Sequence, residues 1–157
     1  MTPLLTVTIP GDPVPQGRAR VGLGHHTMDK KSREWRKLAV AAISWAWIHN
    51  RRPPVDALVA IEVDVHTSRP GSRPRLVTPA AWASGERCLS GGRGDPDNYG
   101  KAALDALVDA KVLLDDHTVC DLRVRKWYAA KGAKPGVDLR IALADEALTL
   151  TRSLETT

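Results

Sequence analysis

Leu5, Val7 and Ile9 alternate with Thr6 and Thr8 near the start of the chain, the period of a strand with one face buried. Pro10-Gly11-Asp12-Pro13 ends that run. Residues 13–28 read as a Gly/Arg-rich loop carrying Arg18, Arg20, His25 and His26. From Asp29 the spacing changes to three and four residues. Trp35, Leu38, Ala42, Trp45 and Ile48-His49 predict a helix on that stripe, capped by Asp29 or Ser32 and stopped before Pro53-Pro54. Val59, Ile61, Val63 and Val65 alternate with Ala60, Glu62, Asp64 and His66, a second strand. Residues 67–94 show no period and are rich in Arg, Pro, Gly and Ser, and such a stretch is usually functional or disordered.

Residues 96–111 predict a second helix, with Asp95 as N-cap, Pro96 at the first helical position, and Leu104, Leu107, Val108 and Lys111 as a buried stripe with a polar end. Gly100 inside it is explained either by close approach of a ligand or by helix packing. Asp115-Asp116-His117 reads as a turn. Cys120, Leu122 and Val124 then alternate with Asp121, Arg123 and Arg125 in a strand running to Trp127. Lys131–Gly136 is expected to be a hairpin turn into a last strand through Val137, Leu139, Ile141 and Leu143. The fold expected is α+β (mixed α/β), in the order β-α-β-loop-α-β-β, with helices packed on a small mixed sheet. One domain over 1–145 and a short tail over 146–157 account for the length.

Composition narrows the class. No apolar run approaches the roughly twenty residues that cross a bilayer, and Met1-Thr2-Pro3-Leu4-Leu5 lacks the basic and apolar regions of a signal peptide. A cytoplasmic protein is expected, with Cys88 and Cys120 as free thiols. The formal net charge is +5, unevenly spread. Residues 1–55 hold nine Lys/Arg against three Asp/Glu, whereas residues 94–157 hold nine against eleven. The N-terminal third is therefore a candidate phosphate-binding surface, and the C-terminal part carries the acids. Lys30, Lys31, Arg33, Arg36 and Lys37 crowd the start of the first helix, where a nearby anion would relieve them, and they fit a solvated helix face equally well. Arg69, Arg73, Arg75, Arg87 and Arg93 lie in the aperiodic stretch, whose Gly91-Gly92-Arg93-Gly94 is followed by no Gly-Lys-Ser/Thr and so is no P-loop.

The densest chemistry is Asp95-Pro96-Asp97-Asn98-Tyr99-Gly100-Lys101, with Asp115-Asp116 after the helix. Asp97, Lys101 and Asp105 follow at four-residue steps on one side of a helix. Carboxylate oxygens suit Mg²⁺, usually held by one or two carboxylates plus waters and substrate phosphates. Such a cation polarises a phosphoryl oxygen and activates a water, and a nearby lysine neutralises the charge that develops. Asp116 joins only if the chain returns to the same end of the helix, which spacing leaves open. Asp97 and Lys101 also fit a surface ion pair, and Glu62 and Asp64 form a rival carboxylate pair. His117, beside Asp116, is a further possible ligand.

Asp95-x-Asp97-Asn98-x-x-Lys101-x-x-x-Asp105-Ala106-Leu107, then Asp115-Asp116, then Asp121-Leu122-Arg123-Val124-Arg125-Lys126, resembles the RusA family of Holliday-junction resolvases. Ile9 to Arg20 is similar to the family's opening, and Ser32-Arg33-Glu34-Trp35 to its first helix, so the likeness runs over about residues 5–143. The resemblance implies a Mg²⁺-dependent endonuclease (Mn²⁺ as a substitute) that resolves four-way DNA junctions as a homodimer, leaving ligatable nicks. Members are often carried by phages and prophages. It implies that Asp95, Asp97 and Asp116 are the metal-binding catalytic carboxylates and Lys101 the catalytic lysine, with Asp115 and Asn98 in support. Arg18, Arg20, Lys30, Lys31, Arg69, Arg73 and Arg75 are the expected DNA-binding residues. Departures are Gly94 where Pro is frequent, Pro96 where an aliphatic is usual, and Ala19 between the arginines. The competing class is a non-catalytic basic DNA-binding protein of recombination or packaging, whose aspartates only cap and pair.

Overall fold

A computed structural model describes residues 3–17, 29–92 and 94–144. Arg18, Arg20, His25, His26, Arg93 and the tail over 146–157 lie outside them. Strands β1 (Leu5–Pro10), β2 (Val59–Thr67), β3 (Cys88–Leu89), β4 (Val119–Tyr128) and β5 (Gly136–Leu143) form one sheet in the order β1-β5-β2-β4-β3. The sheet is mixed: β5 runs antiparallel to β1 and β2, β4 parallel to β2, and β3 antiparallel to β4. The α+β expectation stands.

Period-2 patterning puts one face of this sheet in the core. Leu5, Val7 and Ile9 pair with Ile141, Leu139 and Val137, which pair in turn with Ile61, Val63 and Val65. Two long helices, α1 (Lys30–His49) and α3 (Pro96–Asp109), cover that face and touch each other. A short helix, α2 (Pro79–Ala83), lies in the stretch before β3. The opposite face is polar. There Asp138 accepts from Thr8 Oγ1 at 2.7 Å and faces His66 Nε2 at 3.1 Å. Cys88 and Cys120 are both free thiols.

Four expectations need correction. Lys131–Gly136 is not a hairpin turn, because β2 lies between β4 and β5. β4 and β5 are nonetheless antiparallel, so the local sequence looks like a hairpin. The central place goes to β2, whose Val59, Ile61, Val63 and Val65 are all fully buried. On α1 the buried row is Ser32, Trp35, Ala39, Ile43 and Trp47, while Leu38, Trp45 and Ile48 are exposed. Both rows are apolar at helical spacing, and only packing distinguishes them. On α3 the buried residues are Tyr99, Gly100, Ala102, Ala103, Ala106 and Leu107; of the predicted stripe Leu107 is buried, Leu104 and Val108 are only partly buried against the core, and Lys111 is exposed. Small side chains let this helix lie close to the sheet: a Cβ on Gly100 would sit 3.0 Å from Val124 Cγ2 and 3.2 Å from Leu122 Cδ2. Helix packing is therefore the reason for that glycine. Finally, residues 67–94 contain α2 and the two-residue β3.

Arg69 is what orders that stretch. Its guanidinium donates to the carbonyls of Trp82 (2.7 Å), Glu86 (2.9 Å) and Ala129 (3.4 Å) and stacks over the Trp82 ring at 3.8 Å. Arg87 stacks over Trp127 in the same way, at 4.3 Å. A guanidinium offers five donors in a fixed fork, which suits it to collecting carbonyls from separate turns.

Candidate active site

The start of α3 is where the chemistry gathers. Asp95 occupies the N-cap in extended conformation (φ −77°, ψ 144°), and Pro96 takes the first helical position. An N-cap aspartate ordinarily accepts from the second or third helical N–H. The Asp95 side chain makes no such bond. Its backbone carbonyl instead accepts from Asn98 N–H at 3.1 Å and Tyr99 N–H at 3.4 Å. Asp97 lies in the first turn and Lys101 one turn on, and all three side chains are exposed. Asp95, Asp97 and Lys101 have no side-chain hydrogen bond or ion pair among the described residues. So the Asp97–Lys101 surface pair allowed by the spacing is not formed.

The approach to this turn is tightly built. Gly94 has φ +86°, and a Cβ there would lie 2.7 Å from Tyr99 Cε2 and 3.0 Å from Pro15 Cγ. Only glycine fits. Gln16 N–H donates to the Asn98 carbonyl at 3.1 Å, tying the segment after β1 to α3. Asn98 thus supports the turn through its backbone.

Asp105, two turns beyond Asp97, is otherwise engaged. Arg36 of α1 lies 3.7 Å from Asp105 and donates to Asp109 at 2.6 Å, bracing the two helices. Arg36 is accordingly not a free phosphate-binding cation. Asp115-Asp116 returns at a single 3-10 turn (Asp116–Thr118) packed on α3. Asp115 accepts from His117 N–H at 3.1 Å and lies 3.3 Å from His117 Nδ1. The backbone N–H of His117, then the Asp116 side chain, then the His117 ring lower its carboxyl to about 2. Asp116 is pushed up, first by its hydrogen bond with Asp115, then by desolvation and by the charges of Asp115 and Asp105. His117 therefore serves Asp115.

Asp116 thus stands in the field of Asp105, which lies about 12 Å along the helix axis from Asp97 at 1.5 Å per residue. Among the described residues no group of three or more His, Cys, Asp or Glu side chains could hold a metal ion. Asp95 and Asp97 open α3, and Asp115 and Asp116 stand at the turn that packs on it. The donor chemistry of Asp95 and Asp97 fits a hard divalent cation: two carboxylates with no side-chain partner among the described residues, with water and phosphate for the remaining positions.

Residues 10–142 match the family described as Endodeoxyribonuclease RusA, a span that contains every one of these side chains. The chain belongs to the RusA endodeoxyribonuclease family. It is thus a nuclease-family member with the mixed sheet and helices of that fold. A comparison with curated proteins found no match. Among the described residues no helix is long and apolar enough to cross a membrane.

The basic residues divide by their partners. Lys30 and Lys31 are exposed at the start of α1, where Asp29 caps Lys31 N–H at 2.7 Å and Lys30 lies 3.9 Å from Glu34. Arg75 is exposed with no side-chain partner among the described residues, and Arg73 is exposed but donates to the Val77 carbonyl. Arg69, held by three carbonyls, is part of the scaffold rather than of a free basic surface. Lys126 lies on β4. Its side chain donates to the loop before Asp95. The signal available was a lysine in the β4 series that begins with Leu122 and Val124.

Proposed function

We propose that this protein is a Mg²⁺-dependent endonuclease that resolves four-way DNA junctions by paired nicking. The observation that carries the reading is the exposed set Asp95, Asp97 and Lys101 at a helix start, without side-chain partners among the described residues, in a chain of an endodeoxyribonuclease family. Asp95 and Asp97 hold the cation, Mn²⁺ serving as a substitute. The bound cation supplies Lewis acidity to the phosphodiester and an acidified water as nucleophile. Lys101, one turn on, meets the charge that develops on the phosphate oxygens. Asp116 is the third carboxylate of the reading, with Asp115 in support. The P–O bond to the 3′ oxygen breaks and that oxygen takes a proton, leaving a 5′-phosphate and a 3′-hydroxyl.

Lys30, Lys31, Arg73 and Arg75, with Arg18 and Arg20, supply phosphate contacts, so affinity falls with salt but does not require the carboxylates. Two copies related by a two-fold axis present two such sites to two symmetric strands. The test is a panel of labelled substrates: a four-way junction, a flap and a linear duplex, each with Mg²⁺ or EDTA. Symmetric, ligatable nicks in the junction alone, and only with Mg²⁺, are expected. Faster cutting of the flap would move the reading to another branched-DNA nuclease, and intact substrates throughout would sink it.

A further inference from the structure

We propose that Lys126 is a positioning residue for the acidic pair, setting where Asp95 stands relative to Asp97; this rests on the reading of those carboxylates as cation ligands. Leu122 and Val124 of β4 lie against Gly100 of α3, and Lys126 is the next residue in that alternation. A lysine there is unexpected on pattern, because a half-buried ammonium loses hydration that must be replaced. The replacement comes from the loop. Nζ donates to the Gly92 carbonyl at 2.8 Å and to the Gly94 carbonyl at 2.6 Å. The Gly94 carbonyl is the one that forms the peptide bond to Asp95.

The same residue grips the loop through its backbone. Ser90 N–H donates to the Lys126 carbonyl at 2.9 Å, and Ser90 Oγ accepts from Gly92 N–H at 3.0 Å. From the other side Tyr99 and Pro15 close on Gly94. The two carboxylates are thus placed by different means. Asp97 rides on α3, whose seat on β4 is made by Gly100, Leu122 and Val124. Asp95 rides on the loop end that the Lys126 ammonium holds. Charge-assisted bonds of this kind are about twice as strong as neutral ones, so removing the ammonium frees one ligand without moving the other.

The test uses the full chain with Lys126→Met and Lys126→Arg. Four quantities are measured: Mn²⁺ affinity by calorimetry without DNA, amide exchange over residues 91–97, melting temperature, and junction binding in EDTA. Loss of a residue that orients a metal ligand typically costs about 10–100-fold in metal affinity. Lys126→Met should bind Mn²⁺ weaker by about that factor, exchange faster over 91–97, and bind the junction in EDTA like wild type. Lys126→Arg should recover much of the affinity. A Lys126→Met protein that binds Mn²⁺ as tightly as wild type overturns the proposal, whatever its melting temperature. If Lys126→Met does not fold, Lys126→Gln is read instead; if neither folds, the lysine serves overall stability and the proposal falls. Wild type that binds no Mn²⁺ defeats the underlying reading of Asp95 and Asp97, and the proposal with it.

Discussion

Two carboxylate pairs in this chain have the same spacing and opposite fates. Glu62 and Asp64 alternate on β2, and Asp95 and Asp97 open α3. Asp64 accepts from Trp127 Nε1 at 2.7 Å and from Arg125 at 2.8 and 3.1 Å, and Glu62 shares the same guanidinium at 3.4 Å. Burial alone would raise the Asp64 carboxyl, but the bonds from Trp127 and Arg125 outweigh it and hold the group below the usual carboxylate range. Asp95 and Asp97 have no such donors among the described residues. A carboxylate surrounded by protein donors is part of the scaffold. One left bare at the positive end of a helix is available to a ligand.

The largest effect expected from that contrast is at Asp97. Asp97→Asn should slow single-turnover junction cleavage by about 10³-fold or more, close to 4 kcal/mol of barrier. Filter binding of the junction in EDTA should stay within about twofold, since phosphate contacts supply the affinity. A variant keeping a tenth of the wild-type rate would erase the difference between the two pairs. Lys101→Ala should cost about 10²-fold in the same assay, as the loss of one donor to developing charge does. An unchanged rate would remove Lys101 from the chemistry.

How far this contrast was legible beforehand depends on how local each feature is. β1, β2 and β5 show in strict alternation, and the start of α3 shows in Asp95-Pro96, because caps and pleats are properties of a few consecutive residues. The acidic turn was readable for the same reason. The buried face of α1 was not, because Trp35/Ala39/Ile43/Trp47 and Leu38/Trp45/Ile48 are both apolar rows at helical spacing. Neither was the separation of β4 from β5 by β2, since pairing across about sixty residues decides it. The packing of the Asp116–Thr118 turn on α3, and the reach of Lys126 to Gly92 and Gly94, are likewise contacts of tertiary packing. What separates the two carboxylate pairs, the presence of donors, is of this second kind.

On the scaffold side the effects are smaller and fall on stability. Asp64→Asn should lower unfolding free energy at pH 7 by about 1–2 kcal/mol, a charged hydrogen bond partly discounted for the exposed Arg125, with cleavage unchanged. The pH dependence has a definite sign. The folded Asp64 carboxyl lies below its unfolded value, so its contribution is complete above the unfolded value and disappears as pH falls through the folded one. Urea unfolding of wild type and variant should therefore differ at pH 7 and converge on acidification below about pH 4. A gap that widens in acid would contradict the assignment. Gly100→Ala should cost about 1 kcal/mol in the same measurement. Crowding against Val124 and Leu122 there outweighs the better helix propensity of Ala. A more stable variant would show that the helix can shift off β4.

The most direct test sets the two pairs against each other on one substrate. Wild type, Asp97→Asn and Asp64→Asn are incubated with a labelled four-way junction in Mg²⁺, with EDTA as control. Wild type and Asp64→Asn should nick the junction at comparable rates, Asp97→Asn should bind it without cutting, and EDTA should silence all three. Cleavage by Asp97→Asn at the wild-type rate, or loss of cleavage in Asp64→Asn with its fold intact, would contradict this contrast.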